Sequence, residues 1–148
     1  MKSDGYNTFS DLIGLTFEAR HDGRSRCALE VSDELLNPNG VVHGGVIYSM
    51  ADTGMGGALH SLMGVGESCA TIEIKIVYLK PATGGILTCE TKVIHKGKRI
   101  AVMESEVEND GRLIAKALGT FSILNSRERN VVAKTHSEGA VPENGEGS

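Results

Sequence analysis

Residues 37–62 read NPNGVVHGGVIYSMADTGMGGALHSL, and the fold turns on them. The stretch opens with a tight loop, Asn37-Pro38-Asn39-Gly40. It passes through His43-Gly44-Gly45 and continues as a long apolar segment with one acid, Asp52, in its middle. Val46, Ile47, Met50, Ala51, Met55, Leu59 and Leu62 recur at helical spacings, over a run too long for a strand. Gly64 and Gly66 are expected to end this helix. Gly54, Gly56 and Gly57 lie inside it, each costing ~1 kcal/mol relative to Ala. Such a cost is kept where something approaches closely, so the helix is expected to pack tightly on a sheet.

Upstream of this stretch, Ser10-Asp11 reads as the cap of a short helix that Gly14 ends. Thr16–Ala19 reads as a first strand. After a turn at His21-Asp22-Gly23, Cys27, Leu29 and Val31 alternate with Arg26, Ala28 and Glu30, the pattern of a half-buried strand. Downstream the chain reads as a β-meander. Ile72, Ile74 and Ile76 alternate with Glu73 and Lys75, until Pro81 and Gly84-Gly85 break the run. Leu87, Cys89, Thr91 and Val93 form the next alternating set, followed by a turn at Lys96-Gly97-Lys98. Ala101, Met103, Ser105 and Val107 continue the period of two, and Asn109-Asp110-Gly111 is a strong hairpin signal. Residues 113–124 form a last strand, apolar on much of both faces. Consecutive strands on short turns are expected to be antiparallel neighbours.

One helix among antiparallel strands gives an α+β fold, with a single domain over residues 1–124. From residue 125 to 148 the apolar pattern stops, and Glu, Asn, Ser and Gly dominate, which reads as a disordered polar tail. One helix covers one face of a sheet. The apolar last strand therefore calls for a partner subunit to bury the remaining surface or edge.

Hydrophobic residues make up 40% and charged residues 23% of the 148, the composition of an ordinary globular domain. No apolar run is long enough to span a membrane. The start, MKSDGYNTFSDL, lacks the apolar core of a signal peptide, so a cytoplasmic location is expected. A net charge of −4 without a basic stripe argues against nucleic acid as a partner. Trp is absent and aromatics are 4%, too few for a base-stacking platform. Cys27, Cys89 and Cys69 are widely spaced with no CxxC, and read as free thiols in a reducing compartment.

Within the run from Gly44 to Leu59, Asp52 is the only charge. Its helical neighbours are Tyr48, Ser49, Met55 and Gly56, none of them a cation. Such an acid is a solvent-facing helix residue, is paired at long range, or is functional. Gly44 and Gly45 fall in the first turn, where N–H groups lack intrahelical partners and the helix dipole is positive. They are either loop glycines or an oxyanion hole for acyl transfer. Asn37 is extended by the following Pro38 and suits a turn whose side chain bonds its own backbone two residues on. His43 suits a loop-bracing hydrogen bond. Five histidines show no HExxH or paired spacing, so no metal is expected. No Ser lies in a GxSxG elbow and no Cys has a His at motif spacing. Lys96, Lys98 and Arg99 make a cationic turn, either a solvated hairpin tip or a contact for ligand phosphates.

Asn37-x-x-Gly40-x-x-His43-Gly44-Gly45, with Asp52 nine residues after the histidine, resembles the signature of hotdog-fold acyl-CoA thioesterases, more narrowly the phenylacetate-degradation type. Residues 74–82, IKIVYLKPA, resemble the family's strand ending in Arg/Lys-Pro, and residues 93–99 and 111–115 also fit. The resemblance implies a sheet wrapped around the central helix, in a homodimer with a continuous sheet and shared sites, often paired into tetramers. It implies hydrolysis of an acyl-CoA without metal or cofactor, coenzyme A being part of the substrate. Gly44 N–H would polarise the thioester carbonyl, with Gly45 beside it on the substrate. Asp52 would be nucleophile or general base. Asn37 matches a position that holds the water or carbonyl, Thr71 one near the water, and His43 would brace the loop. Strict strand alternation, however, puts Thr71 on the face opposite Ile72, Ile74 and Ile76. Two other readings are a hotdog enoyl-CoA hydratase or dehydratase, whose motifs are not found, and a non-catalytic acyl-CoA-binding protein, for which Asp52 has no use.

Overall fold

A computed structural model describes residues 7–125. The predicted tail lies outside them, apart from Asn125. The elements are α1 (Thr8–Ile13), β1 (Thr16–His21), β2 (Arg24–Glu30), α2 (Gly44–His60), β3 (Glu67–Tyr78), β4 (Ile86–Lys96), β5 (Ile100–Asn109) and β6 (Arg112–Asn125). A 3-10 turn at Asp33–Leu35 precedes the loop into α2. The six strands form one antiparallel sheet in the order β1-β2-β4-β5-β6-β3. Six strands span ~24 Å at ~4.8 Å spacing, whereas a helix is ~10 Å across. Yet α2 contacts every strand, so the sheet curls around it. This is the predicted α+β arrangement.

The meander is only partly as expected. β4, β5 and β6 are sequential neighbours, but β3 pairs with β6, and the other neighbour of β4 is β2. Residues 79–85 between β3 and β4 are a crossover rather than a hairpin, because Pro81 and the glycine pair cannot close a tight turn between aligned strands. β6, read as the strand that exposes an edge, is therefore interior. The open edges are β1 and β3, and β3 leaves Ile72, Val77 and Tyr78 exposed.

Two smaller expectations also shift. α1 is capped by Asn7, whose side chain accepts from Ser10 N–H at 3.1 Å, so Ser10 lies within the helix; Gly14 ends it at φ 76°. α2 stops at His60, short of Leu62. The turns behave as read: Asp22 and Gly23, and Asp110 and Gly111, all take positive φ, as tight hairpins require.

The core lies between α2 and the concave face of the sheet. Ile47, Met50, Ala51, Gly54, Met55, Ala58 and Leu59 are the buried stripe of the helix. Leu29, Leu87, Met103, Val107 and Ile114 rise from the sheet to meet it. Each large side chain buried this way contributes ~1.5–3 kcal/mol. The close approach expected at the glycines occurs at Gly54, where a Cβ would lie 2.7 Å from Thr91 Oγ1. A buried polar seam runs beneath it. Ser25 Oγ donates to the Gly54 carbonyl at 2.7 Å, and Thr91 and Ser105 hydroxyls bond each other at 2.6 Å. Cys27 and Cys89 are cross-strand partners in this layer, both buried and free. The hydrogen bond with Cys89, then burial, push the Cys27 thiol far above its ordinary range. Only Cys69 is partly accessible.

Candidate active site

The loop into α2 is pinned at several points. Val42 N–H bonds the Ala82 carbonyl at 2.7 Å, and His43 N–H bonds the Leu35 carbonyl at 2.8 Å. Asn37 Oδ1 accepts from Asn39 N–H at 2.9 Å and Val41 N–H at 3.4 Å, the turn-forming role its position before Pro38 predicts. His43 is the N-cap of α2, and its Nδ1 accepts from Gly45 N–H at 2.8 Å. This is the bracing bond expected of it, and it leaves the imidazole proton on Nε2. The Gly45 N–H is thereby occupied. Among the described residues the Gly44 N–H meets no acceptor. It stands at the positive end of a 17-residue helix.

A groove of about 320 Å³ is lined by Val41, Val42, Gly44, Ile47, Tyr78, Leu79, Lys80, Pro81 and Ala82. Its walls are mostly apolar, and Gly44 is one of the residues that line it. That is the make-up of a small-molecule site. Tyr78 donates from its hydroxyl to the Gly44 carbonyl at 2.7 Å. No role was assigned to Tyr78 from sequence. It follows Ile74 and Ile76 at a period of two, and only the fold brings that position to the start of α2.

Asp52 sits midway along α2, half-buried. Thr71 Oγ1 donates to its Oδ1 at 2.7 Å. Alternation placed Thr71 on the wrong face because β3 is not regular. Thr71 pairs with Phe121 and Glu73 with Thr120, so Ile72 is an extra residue, a β-bulge. The bulge resets the period: Ile72 points outward, while Thr71 joins Ile74 and Ile76 on the helix side. Among the described residues no cation pairs with Asp52. Cys69 is a neighbour, its thiol raised by burial and then by the Asp52 charge.

Gly44 and Asp52 are eight residues apart on one helix, ~12 Å at 1.5 Å per residue. A carbonyl oxygen held by one cannot have its carbon attacked from the other. One chain thus holds the two groups apart: Gly44 at the groove near Tyr78, and Asp52 with Thr71 farther along β3. Lys96 pairs with Ala101, Ala101 with Phe121, and Phe121 with Thr71. The cationic turn of Lys96, Lys98 and Arg99 therefore lies at the Asp52 end of the sheet, three strands away. Other charges are satisfied on the convex face, where Arg26 pairs with Glu18 and Glu90, Lys92 with Glu104, and Lys116 with Glu106. Among the described residues no group of three or more His, Cys, Asp or Glu could hold a metal. None of their helices is long and apolar enough to cross a membrane.

The curled antiparallel sheet around one helix carries an N–H without an acceptor at the helix start and, within the helix, a carboxylate that Thr71 bonds and that no cation pairs with among the described residues, an arrangement that suits acyl transfer. The family model of the thioesterase superfamily matches residues 39–116, and the chain belongs to that superfamily as a hotdog-fold thioester hydrolase. Its type is the PaaI-like one. SSO1253 of Saccharolobus solfataricus is 37% identical over 121 residues, spanning 81% of this chain and 79% of that protein. The acyl-coenzyme A thioesterase PaaI of Escherichia coli is 31% identical over 100 residues, spanning 66% and 68%. The solved structure of PA5202 from Pseudomonas aeruginosa matches with a TM-score of 0.77 at 36% identity, over 84% of this chain and 96% of that one.

Proposed function

We propose that the protein hydrolyses an acyl-CoA, carrying an aryl or medium-chain acyl group, to the free acid and coenzyme A. The observation that carries this reading is the Asp52 carboxylate. One oxygen is held by Thr71 and, among the described residues, no cation pairs with the group, so the other oxygen is available for chemistry. With Asp52 as general base, it takes a proton from water as the water oxygen attacks the thioester carbon. With Asp52 as nucleophile, its oxygen attacks first and water then hydrolyses the anhydride. In both routes the carbonyl oxygen gains negative charge, and Gly44 N–H is the donor that stabilises it. The thiolate of coenzyme A leaves and is protonated. Thr71 orients Asp52, Asn37 shapes the loop beside the carbonyl, and His43 caps the helix. Gly45 offers close backbone approach on the substrate side. No cofactor is required.

The ~12 Å between Gly44 and Asp52 supports a site shared by two copies, joined through the open β3 edge into a homodimer. The apolar groove suits an aryl or medium-chain group. Lys96, Lys98 and Arg99 suit the remote phosphates of coenzyme A. Three free thiols accord with a reducing cytoplasm.

The test is a thiol-release screen of the purified protein across aryl- and alkyl-CoA esters, followed by Asp52→Asn on the best substrate. The amide keeps the shape but can neither attack nor accept a proton. Turnover should fall at least ~10²-fold, with the fold intact. Near wild-type kcat in that variant would end this mechanism. Binding of CoA esters without release from any of them would favour a non-catalytic binder.

A further inference from the structure

We propose that Tyr78 is a positioning residue that fixes the direction of the Gly44 N–H, an inference that rests on that N–H being the donor to the thioester carbonyl. Gly44 has no Cβ, so its two backbone dihedrals are loosely restrained by local sterics. Its N–H lies in the peptide plane shared with His43, and the following plane is hinged to that one at Gly44, so what holds the second plane also limits how the first can tilt. The plane between His43 and Gly44 is tied through the His43 carbonyl, which accepts from Val46 N–H at 2.9 Å. The plane between Gly44 and Gly45 is tied at both ends. Its carbonyl accepts from the Tyr78 hydroxyl at 2.7 Å, and its N–H donates to His43 Nδ1 at 2.8 Å. The tyrosine, the peptide and the histidine form one chain of hydrogen bonds, in which each bond polarises the next.

Tyr78 is suited to this task by its own anchoring. It pairs with Ala115 at the end of β3, and the next residue, Leu79, donates its N–H to the Ile114 carbonyl at 2.8 Å. The phenol thus stands on a strand end rather than on a free loop. Its ring lies directly on the glycine: a Cβ at Gly44 would be 3.2 Å from both Cζ and Oη of Tyr78. Burial, then the neighbouring Tyr48, raise the phenol above its ordinary range, so it remains a protonated donor.

Tyr78 touches neither the carbonyl nor the water in this scheme, so its effect passes through Gly44. A misdirected N–H matters most when charge has built up on the carbonyl oxygen. Its loss should therefore appear in kcat rather than in KM.

Tyr78→Phe keeps the ring and removes only the donor. The expected result is a kcat lower by about tenfold with KM changed by less than about twofold, the scale of one neutral hydrogen bond. The Gly44 and Gly45 amide resonances of the folded protein should move as well. Wild-type kcat, or a rise in KM alone, would overturn the proposal. If the wild-type protein releases thiol from no CoA ester, the functional reading fails, and the amide resonances alone decide. Unmoved Gly44 and Gly45 signals in Tyr78→Phe would then refute the clamp. Should Tyr78→Phe not fold, difluorotyrosine placed at position 78 keeps the shape while making the phenol more acidic. The alkaline limb of the kcat profile should then move to lower pH, and an unmoved limb would count against the proposal.

Discussion

Asp52 and Cys69 share a neighbourhood, so a change at Asp52 can be followed at the thiol without substrate. Burial and then the Asp52 carboxylate raise the Cys69 thiol, which suppresses the reactive thiolate. Cys27 and Cys89 are buried, so alkylation of the native protein should report on Cys69. Asp52→Asn removes the negative charge, lowers the pKa of that thiol and increases the thiolate at a given pH. Iodoacetamide should then label Cys69 faster by about twofold or more at neutral pH. An unchanged or slower rate would mean that burial alone governs the Cys69 thiol and that the Asp52 charge does not reach it. Thr71→Ala should preserve that charge effect while freeing the carboxylate to turn.

At the scale of an element, the glycines of α2 separate two kinds of position that look alike in sequence. At Gly54 a Cβ would lie 2.7 Å from Thr91 Oγ1 and 3.4 Å from Cys89 Sγ. The threonine hydroxyl cannot swing aside, because it is buried and bonded to Ser105. Overpacking of ~1–3 kcal/mol should exceed the ~1 kcal/mol of helix propensity gained. At Gly56 the nearest atom among the described residues is Phe121 Cε2 at 3.9 Å, an ordinary contact. Gly54→Ala should therefore lower Tm by several degrees, and Gly56→Ala should raise it. Thermal melts at one protein concentration compare them fairly, since association shifts Tm. Two variants moving in the same direction would show that the close approach at Gly54 is not what holds the helix to the sheet.

For the whole molecule, the separation of Gly44 from Asp52 along α2 gives the strongest test. If Asp52 of one copy serves the Gly44 and Asn37 of its partner, Asp52→Asn and Asn37→Ala should complement each other. Mixed under conditions of subunit exchange, half the dimers would be mixed, and each would carry one intact site and one doubly damaged site. Activity should return to roughly a quarter of wild type for a closed two-fold dimer. Sites built within one chain would all keep a lesion, so no recovery despite demonstrated exchange would reject the shared site, given that Asn37→Ala alone is inactive. The open β3 edge supplies a surface for the partner: twelve residues long, with Ile72 and Val77 exposed at 54% and 46%.

Much of this was legible in residue order alone. The central helix, its glycine-rich entry, the strands and the hairpin turns followed from periodicity and turn chemistry. These are local properties, determined within a few residues. Asn37 as a turn former and His43 as a loop brace were legible for the same reason, since their partners lie two residues away. What the order of residues could not supply was anything set by distant contacts. β3 lies beside β6 because a crossover at Pro81 carries the chain back to β2, and strand order is decided by closure around the helix rather than by adjacency in sequence. One bulged residue, Ile72, reversed the face assigned to Thr71 and brought it to Asp52. Tyr78 reached Gly44 across 34 residues of chain. A bulge costs one unpaired residue and leaves no mark on composition, and a long-range hydrogen bond leaves none on spacing. Both are decided only when the sheet closes on α2 and the side chains of β3 must fit what lies beneath them.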